Sequence, residues 1–304
     1  MRRTFIASVF FFLLLASGPL PTRAGPASAL VFQTDFGVKD GAVSAMKGVA
    51  FGVSPELSLF DLTHEIPAFN IWEAAYRLKQ SVPYWPKGTV FVNVVDPGVG
   101  TERKGVVALT RDGHFIVSPD NGSLTLLAEQ PGIEAIRVID TTRHRRPGSE
   151  ASYTFHGRDI FAFVGAKLAA GQIRFEDVGP DLGRDCIRLP HAPPALQSGV
   201  LSGTIAVLDP QYGNVWSDIP KSLFDQLGLK PGASLSYRIF HGGRSICSGT
   251  APYSDTFGRV APGKPLVFLN SLLNVSIALN QGNFAARHHV ASGLDWTIEF
   301  RVVP

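Results

Sequence analysis

Asp96, Arg103 and His156 are side chains whose types could do chemistry: a carboxylate, a fixed cation and an imidazole. The run Val94-Val95-Asp96-Pro97-Gly98-Val99-Gly100-Thr101 reads as an apolar strand that delivers Asp96 to a sharp turn. Proline and glycine let such a turn bend tightly and bring backbone close to a ligand. Arg103 follows closely enough to pair with Asp96, as part of a site or as an ordinary surface ion pair. His156 lies in Thr154-Phe155-His156-Gly157-Arg158-Asp159, just before a helical pattern. Imidazole exchanges protons near neutral pH, which suits it to acid–base work. Asp96, His156 and Asp159 together could instead hold a metal ion for metal-dependent hydrolysis.

Two further groups carry recognition chemistry. Thr34-Asp35-Phe36-Gly37, with Asp40 after it, sits where a strand gives way to a helix. In an open α/β sheet that is where ligands bind, and a carboxylate there can accept both hydroxyls of a ribose diol. An acid before a helix is equally a helix cap. Later, Leu208-Asp209-Pro210-Gln211-Tyr212-Gly213-Asn214 and Leu269-Asn270-Ser271 offer acceptor and amide groups that can read the edge of a heterocycle or simply form turns.

These groups need elements to hold them. Leu30–Gln33, Leu57–Leu62 and Thr89–Val95 read as buried strands, with helices over Asp40–Phe51 and Asn70–Val82 between them. Val106–Thr110 and His114–Val117 flank Arg111-Asp112-Gly113 as a hairpin, Ile133–Ile139 is another strand, and Asp159–Ala170 another helix. Strands alternating with helices predict an α/β domain on a mostly parallel sheet over residues 28–190. Pro190, Pro193 and Pro194 mark a linker. Beyond it, Val200–Leu208, Ser234–Phe240, Lys264–Phe268, Asn274–Leu279 and Trp296–Val302 predict a smaller β-rich domain over residues 196–304.

The chain has 304 residues, 45% of them hydrophobic and 17% charged, enough apolar content for a sizeable core. Arg2 and Arg3 precede an uncharged apolar run from Phe5 to Ala16, followed by Pro19, Pro21 and small residues near Ala24. That pattern predicts a signal peptide over residues 1–24 and export to the periplasm or beyond, with an uncleaved membrane anchor as the alternative. Cleavage removes Arg2, Arg3 and Arg23 and no acid, which leaves basic side chains equal to the 25 acidic ones. The mature chain therefore gives no charge argument for nucleic acid or for stable membrane attachment. Arg143, His144, Arg145 and Arg146 form one basic cluster, which reads as a solvated loop. Cys186 and Cys247 are the only cysteines; in an exported protein they could pair, or be buried separately as small apolar residues.

Taken in order, TDFG at Thr34, DPGVGT with Arg103 following, SPDNG at Ser118–Gly122, TFHGRDIF and the Asp209–Asn214 segment resemble the S-adenosylmethionine hydroxide adenosyltransferase family, relatives of fluorinase and chlorinase. The resemblance runs from Leu30 to the C-terminus. It implies an N-terminal α/β/α sandwich and a smaller C-terminal β-barrel domain, assembled as a homotrimer with active sites where subunits meet. It also implies a catalytic trio at Asp96, Arg103 and His156, with Asp35 as ribose ligand and Asp40 and Ser271 at the methionine end. Asp209 and Asn214 then lie near the methionine amine and the adenine edge, and Phe69 walls the nucleoside.

The implied reaction is hydrolysis of S-adenosylmethionine to adenosine and methionine by water attacking ribose C5′, with no cofactor and no metal. A sulfonium is already a good leaving group, so the site must supply an oriented, deprotonated water. A carboxylate at Asp96 would repel a halide, which ranks halogenation below hydrolysis. Leu273 and Ser276 depart from the glycine and the acid common at those positions in the family, and Phe163 from a proline. A second reading from a different class is a non-catalytic extracytoplasmic nucleoside-binding protein. Export itself sits awkwardly with a substrate that is an intracellular metabolite.

Overall fold

A computed structural model describes residues 29–303, so the expected signal segment 1–24 lies outside the described residues. The first part of the chain forms β1 (Ala29–Thr34), α1 (Ala42–Val53), β2 (Ser58–Thr63), α2 (Ile71–Ser81), β3 (Val90–Val94), β4 (Gly105–Thr110), β5 (Phe115–Pro119), α3 (Thr125–Glu129) and β6 (Ile133–Val138). A π-helical turn (Gly157–Ala162) then runs into α4 (Phe163–Ala169), and β7 (Asp181–Gly183) follows. The strands make one seven-stranded sheet in the order β2-β1-β3-β5-β4-β6-β7. β2, β1, β3 and β5 run parallel, while β4 is antiparallel to both its neighbours, β5 and β6.

Alternation along the strands builds two cores, because successive side chains of a strand point to opposite faces. Leu30, Phe32, Val92 and Val94 pack with Met46 and Ala50 of α1 and Val164 and Ala166 of α4. Val31 and Phe91 face the other way, onto Leu78 of α2 and Leu127 of α3. Helices on both faces of the sheet give the expected α/β/α layering. Leu57–Leu62 does not form the buried strand expected of it. β2 is the edge strand, and Phe60 is 43% exposed against the edge of Trp85. An apolar run cannot reveal from composition whether a second strand will cover it.

The remainder forms β8 (Ala195–Gln197), β9 (Val200–Leu208), β10 (Val215–Pro220), α5 (Lys221–Phe224), β11 (Ser234–His241), β12 (Arg244–Pro252), β13 (Pro265–Leu269), β14 (Asn274–Leu279), α6 (Phe284–His288) and β15 (Trp296–Val302). Their pairings are antiparallel, in the order β12-β11-β15-β9-β10-β14-β13, with β8 beside β9. A bridge from Tyr253 to Val267 brings the two ends together, so the sheet is a nearly closed barrel. It docks on the first sheet through α2: the Trp72 indole N–H donates to the Ala206 carbonyl at 2.9 Å, and Arg77 donates to the Leu208 carbonyl at 3.0 Å.

Cys186 and Cys247 are both free thiols, packed in different apolar clusters. Among the described residues no helix is long and apolar enough to cross a membrane.

Candidate active site

At the carboxyl end of β3, Asp96 caps the strand and turns into Pro97-Gly98. Arg103 reaches back across that turn. Its Nε donates to Asp96 Oδ1 at 2.9 Å and its Nη2 to Asp96 Oδ2, a bidentate pair whose side chains are only 9% and 5% exposed. Planar two-bond geometry of this kind fixes the carboxylate plane. The same Nη2 lies 3.3 Å from His156 Nδ1. A guanidinium can only donate, so Nδ1 accepts and the proton of the neutral ring sits on Nε2. That Nε2 is buried and has no hydrogen-bond partner among the described residues.

Local packing explains why His156 arrives there. It caps the π-helical turn, a wide turn that is rare and recurs at functional sites. A side chain on Gly157 would press on Val94, Phe155 and Phe36, at 3.2–3.3 Å from its first carbon, so glycine lets the turn seat against the sheet end. Asp159 then anchors the turn, accepting from Arg158 and Arg146. Both Asp159 oxygens are thus taken by arginines. Among the described residues no cluster of three histidine, cysteine or acidic side chains has metal-binding geometry.

Electrostatics poise the pair. Burial pushes the Asp96 carboxyl above its ordinary value even with Arg103 beside it. Burial, followed by Arg103 and Arg145, holds His156 below its ordinary 6.5. A neutral imidazole next to a carboxylate that is ready to take a proton is suited to general-base chemistry.

Asp35, Phe69, Asp96 and His156 line one cavity of about 290 Å³, with Phe36, Val99 and Phe155. The Phe69 N–H donates to Asp35 Oδ2 at 2.8 Å. Phe69 adopts φ +67° and is 70% exposed. A bulky residue in the left-handed region is strained by roughly 1–2 kcal/mol. Strain kept at a cavity mouth points to a use for that ring. Asp40, by contrast, is exposed and accepts from the Ala42 N–H two residues on, a local turn just ahead of α1, whose N-cap is Gly41; it does not line the cavity.

Asp209, Asn214 and Ser271 are brought together elsewhere, in a second cavity of about 520 Å³ lined also by Trp216, Phe257 and Phe268. Asn214 Nδ2 donates to Asp209 Oδ2 at 3.2 Å. The cavities share no lining residue within one chain. Leu273, at the end of this region, has φ +60°, a conformation glycine adopts freely, and Ser276 is buried with its hydroxyl turned to the Asn274 carbonyl.

Several supporting residues escaped sequence reasoning. Asn121 donates to the Val95 carbonyl at 2.8 Å and so fixes the residue before Asp96. Beneath it, Gln33, Asn93 and Ser118 form a buried ladder, 2.8 and 2.9 Å apart, across the ends of β1, β3 and β5. The SPDNG string was the only signal for Ser118 and Asn121. The basic cluster is not a solvated loop either. His144 is buried on the Asp177 carbonyl, Arg146 holds Asp159, and Arg145 donates to Ser149 and Ser152 while stacking on Tyr153 at 4.5 Å.

Residues 30–179 match the family model for the SAM hydroxide adenosyltransferase N-terminal domain, and residues 203–297 the model for its C-terminal domain. The chain belongs to the SAM hydroxide adenosyltransferase family. Within that family it is 34% identical over 264 residues to the (R)-S-adenosyl-L-methionine hydrolase of Salinispora tropica, covering 86% of this chain and 93% of that protein. It is 43% identical to the hydrolase of the same name from Methanocaldococcus jannaschii over 143 residues, which span about half of each (46% and 52%). A fluorinase from an Actinoplanes species is 27% identical over 92% of this chain and 99% of its own. A crystal structure of an uncharacterized conserved protein from Thermotoga maritima superposes with a TM-score of 0.82 at 34% identity, covering 90% of this chain and 99% of the other.

Proposed function

We propose that the chain hydrolyses S-adenosylmethionine to adenosine and methionine. The observation that carries this is the hydrogen-bonded set Asp96–Arg103–His156 opening into the cavity that also holds Asp35 and Phe69. Water sits between the Asp96 carboxylate, which accepts its proton, and the His156 Nε2–H, which donates to its oxygen. Oxygen attacks C5′ in line with the departing sulfur. The C5′–S bond pair goes to sulfur, giving the neutral thioether of methionine, and the proton passes from Asp96 to solvent. Arg103 holds both groups and offsets the charge that builds on the water. Asp35 takes the ribose diol and Phe69 packs against the nucleoside. Incubation with S-adenosylmethionine, with products resolved by chromatography, gives adenosine and methionine; a folded protein that makes neither refutes the reading.

We also propose that the working site lies between subunits of a homotrimer, with Asp209, Asn214 and Ser271 of one copy completing the Asp96 cavity of its neighbour. Support comes from the separation of the two groups into different cavities of one chain. The catalytic cavity, at about 290 Å³, is also at the small end of the range for a whole ligand of this size, roughly 300–1,000 Å³. Chains carrying Asp96→Asn and chains carrying Asn214→Ala, each inactive alone, regain part of the activity when refolded together into mixed trimers. Mixed trimers of confirmed mass with no activity above the separate variants contradict a shared site. Export is proposed from Arg2, Arg3 and the apolar run that follows them; mass spectrometry of the exported protein should give a chain that starts close after Ala24, and an intact N-terminus refutes cleavage.

A further inference from the structure

The loop that carries Asp35 is strapped from below by a residue outside both cavities, His64. β2 holds an extra residue opposite β1, since Phe32 pairs with Asp61 but Gln33 pairs with Thr63. Bulges of this kind re-aim the residues that follow them. Here the shift brings His64, 5% exposed, under the end of β1. Its Nδ1 lies 2.8 Å from Thr34 Oγ1 and its Nε2 lies 2.9 Å from Asp61 Oδ1, whose other oxygen accepts from Lys47 at 2.6 Å. With Nε2–H donating to Asp61, Nδ1 accepts the Thr34 hydroxyl proton. The Thr34 oxygen in turn accepts from the Phe36 N–H at 3.2 Å, and the His64 carbonyl accepts from the Gly37 N–H at 2.7 Å.

The turn 35–37 is therefore held on both sides of Asp35 by one histidine, through its ring and through its backbone. Gly37 has φ +66°, which only glycine adopts without strain, so the turn is tight as well as tethered. Thr34 is fully buried, which rules it out as a nucleophile despite its Thr–His–Asp arrangement. What the arrangement can do is fix the direction of the Asp35 carboxylate, whose Oδ2 is already taken by the Phe69 N–H.

We propose that His64 is a positioning residue for ribose recognition: through Thr34 and Gly37 it aims the Asp35 carboxylate at the 2′- and 3′-hydroxyls of a bound nucleoside. This rests on the reading of Asp35 as the ribose ligand. Calorimetric titration of adenosine and of 2′-deoxyadenosine into the assembled protein tests it. The unmodified protein prefers adenosine by roughly ten- to a hundredfold, the range expected for hydroxyl hydrogen bonds to a charged carboxylate. His64→Leu, which removes the ring nitrogens, lowers that preference by about tenfold. His64→Asn, whose amide can reach the Thr34 hydroxyl, retains it. Thr34→Val, equal in shape and lacking the hydroxyl, behaves as His64→Leu and carries the test if that variant does not fold. Both variants weakening the two ligands equally, or leaving the preference intact, overturns the proposal while Asp35 keeps its role. No preference in the unmodified protein overturns both.

Discussion

Asp96→Asn abolishes turnover, with kcat falling at least about a thousandfold, while adenosine binding stays within a few-fold of the unmodified protein. Positioned proton acceptors contribute some 10²–10⁴ to rate, and the loss lies in the upper part of that range because the amide cannot accept the proton of the attacking water. Asp96 also orients Arg103, which in turn reaches His156, so the substitution weakens the whole set. The fold tolerates it. Breaking a buried ion pair typically costs about 3–5 kcal/mol, but the asparagine oxygen still accepts from Arg103, and the burial that already disfavours the Asp96 charge no longer applies. Single-turnover assays and denaturant unfolding separate the two effects. Activity within tenfold of the unmodified enzyme would show that Asp96 is not the proton acceptor.

His156→Ala keeps adenosine binding and lowers kcat by about 10²–10⁴. The ring lines the catalytic cavity, and its Nε2 has no hydrogen-bond partner among the described residues to lose. The pH dependence follows from the same geometry. Nδ1 can accept from Arg103 only while the ring is neutral, and the folded protein holds the histidine below 6.5. The sign is that of a depressed base: the neutral, working form persists through pH 6.5, and kcat/KM drops only as pH falls below that value through the lowered pKa. In His156→Ala the part of this limb that belongs to the ring disappears, and what remains reports Asp96, whose raised carboxyl must also be ionised to accept the proton. A limb centred above 6.5 in the unmodified enzyme, or one left unchanged in the variant, would assign the titration to another group.

Both predictions concern residues visible in the sequence, and the reason is chemical. Asp96 and His156 stand in strings whose glycines serve backbone geometry, so type and spacing are constrained together: Gly157 is forced by the approach of Val94 and Phe36, and the turn after Asp96 by the reach of Arg103. Asp40 shows the limit of such reading, because an acid at a helix start serves a cap or a ligand equally well, and within this chain it does neither: it closes a local turn on the Ala42 N–H while Gly41 takes the cap position. Asn121 and His64 carry no comparable local mark. Each acts through a partner distant in sequence, Val95 for the first and Thr34 for the second, and only strand pairing makes those neighbours.

The alternation of strands and helices, the family and the residue types at the reacting centre are legible in the chain of residues, since those depend on periodicity and on local turn chemistry. Tertiary structure decided the rest. It set β2 at an exposed sheet edge, turned an apparently solvated basic cluster into a brace on Asp177, Asp159 and Tyr153, and kept the two cysteines apart. It also divided the recognition residues between two cavities of one chain. These outcomes depend on which strands become neighbours and which charges meet across long separations, and no local pattern of residues encodes either.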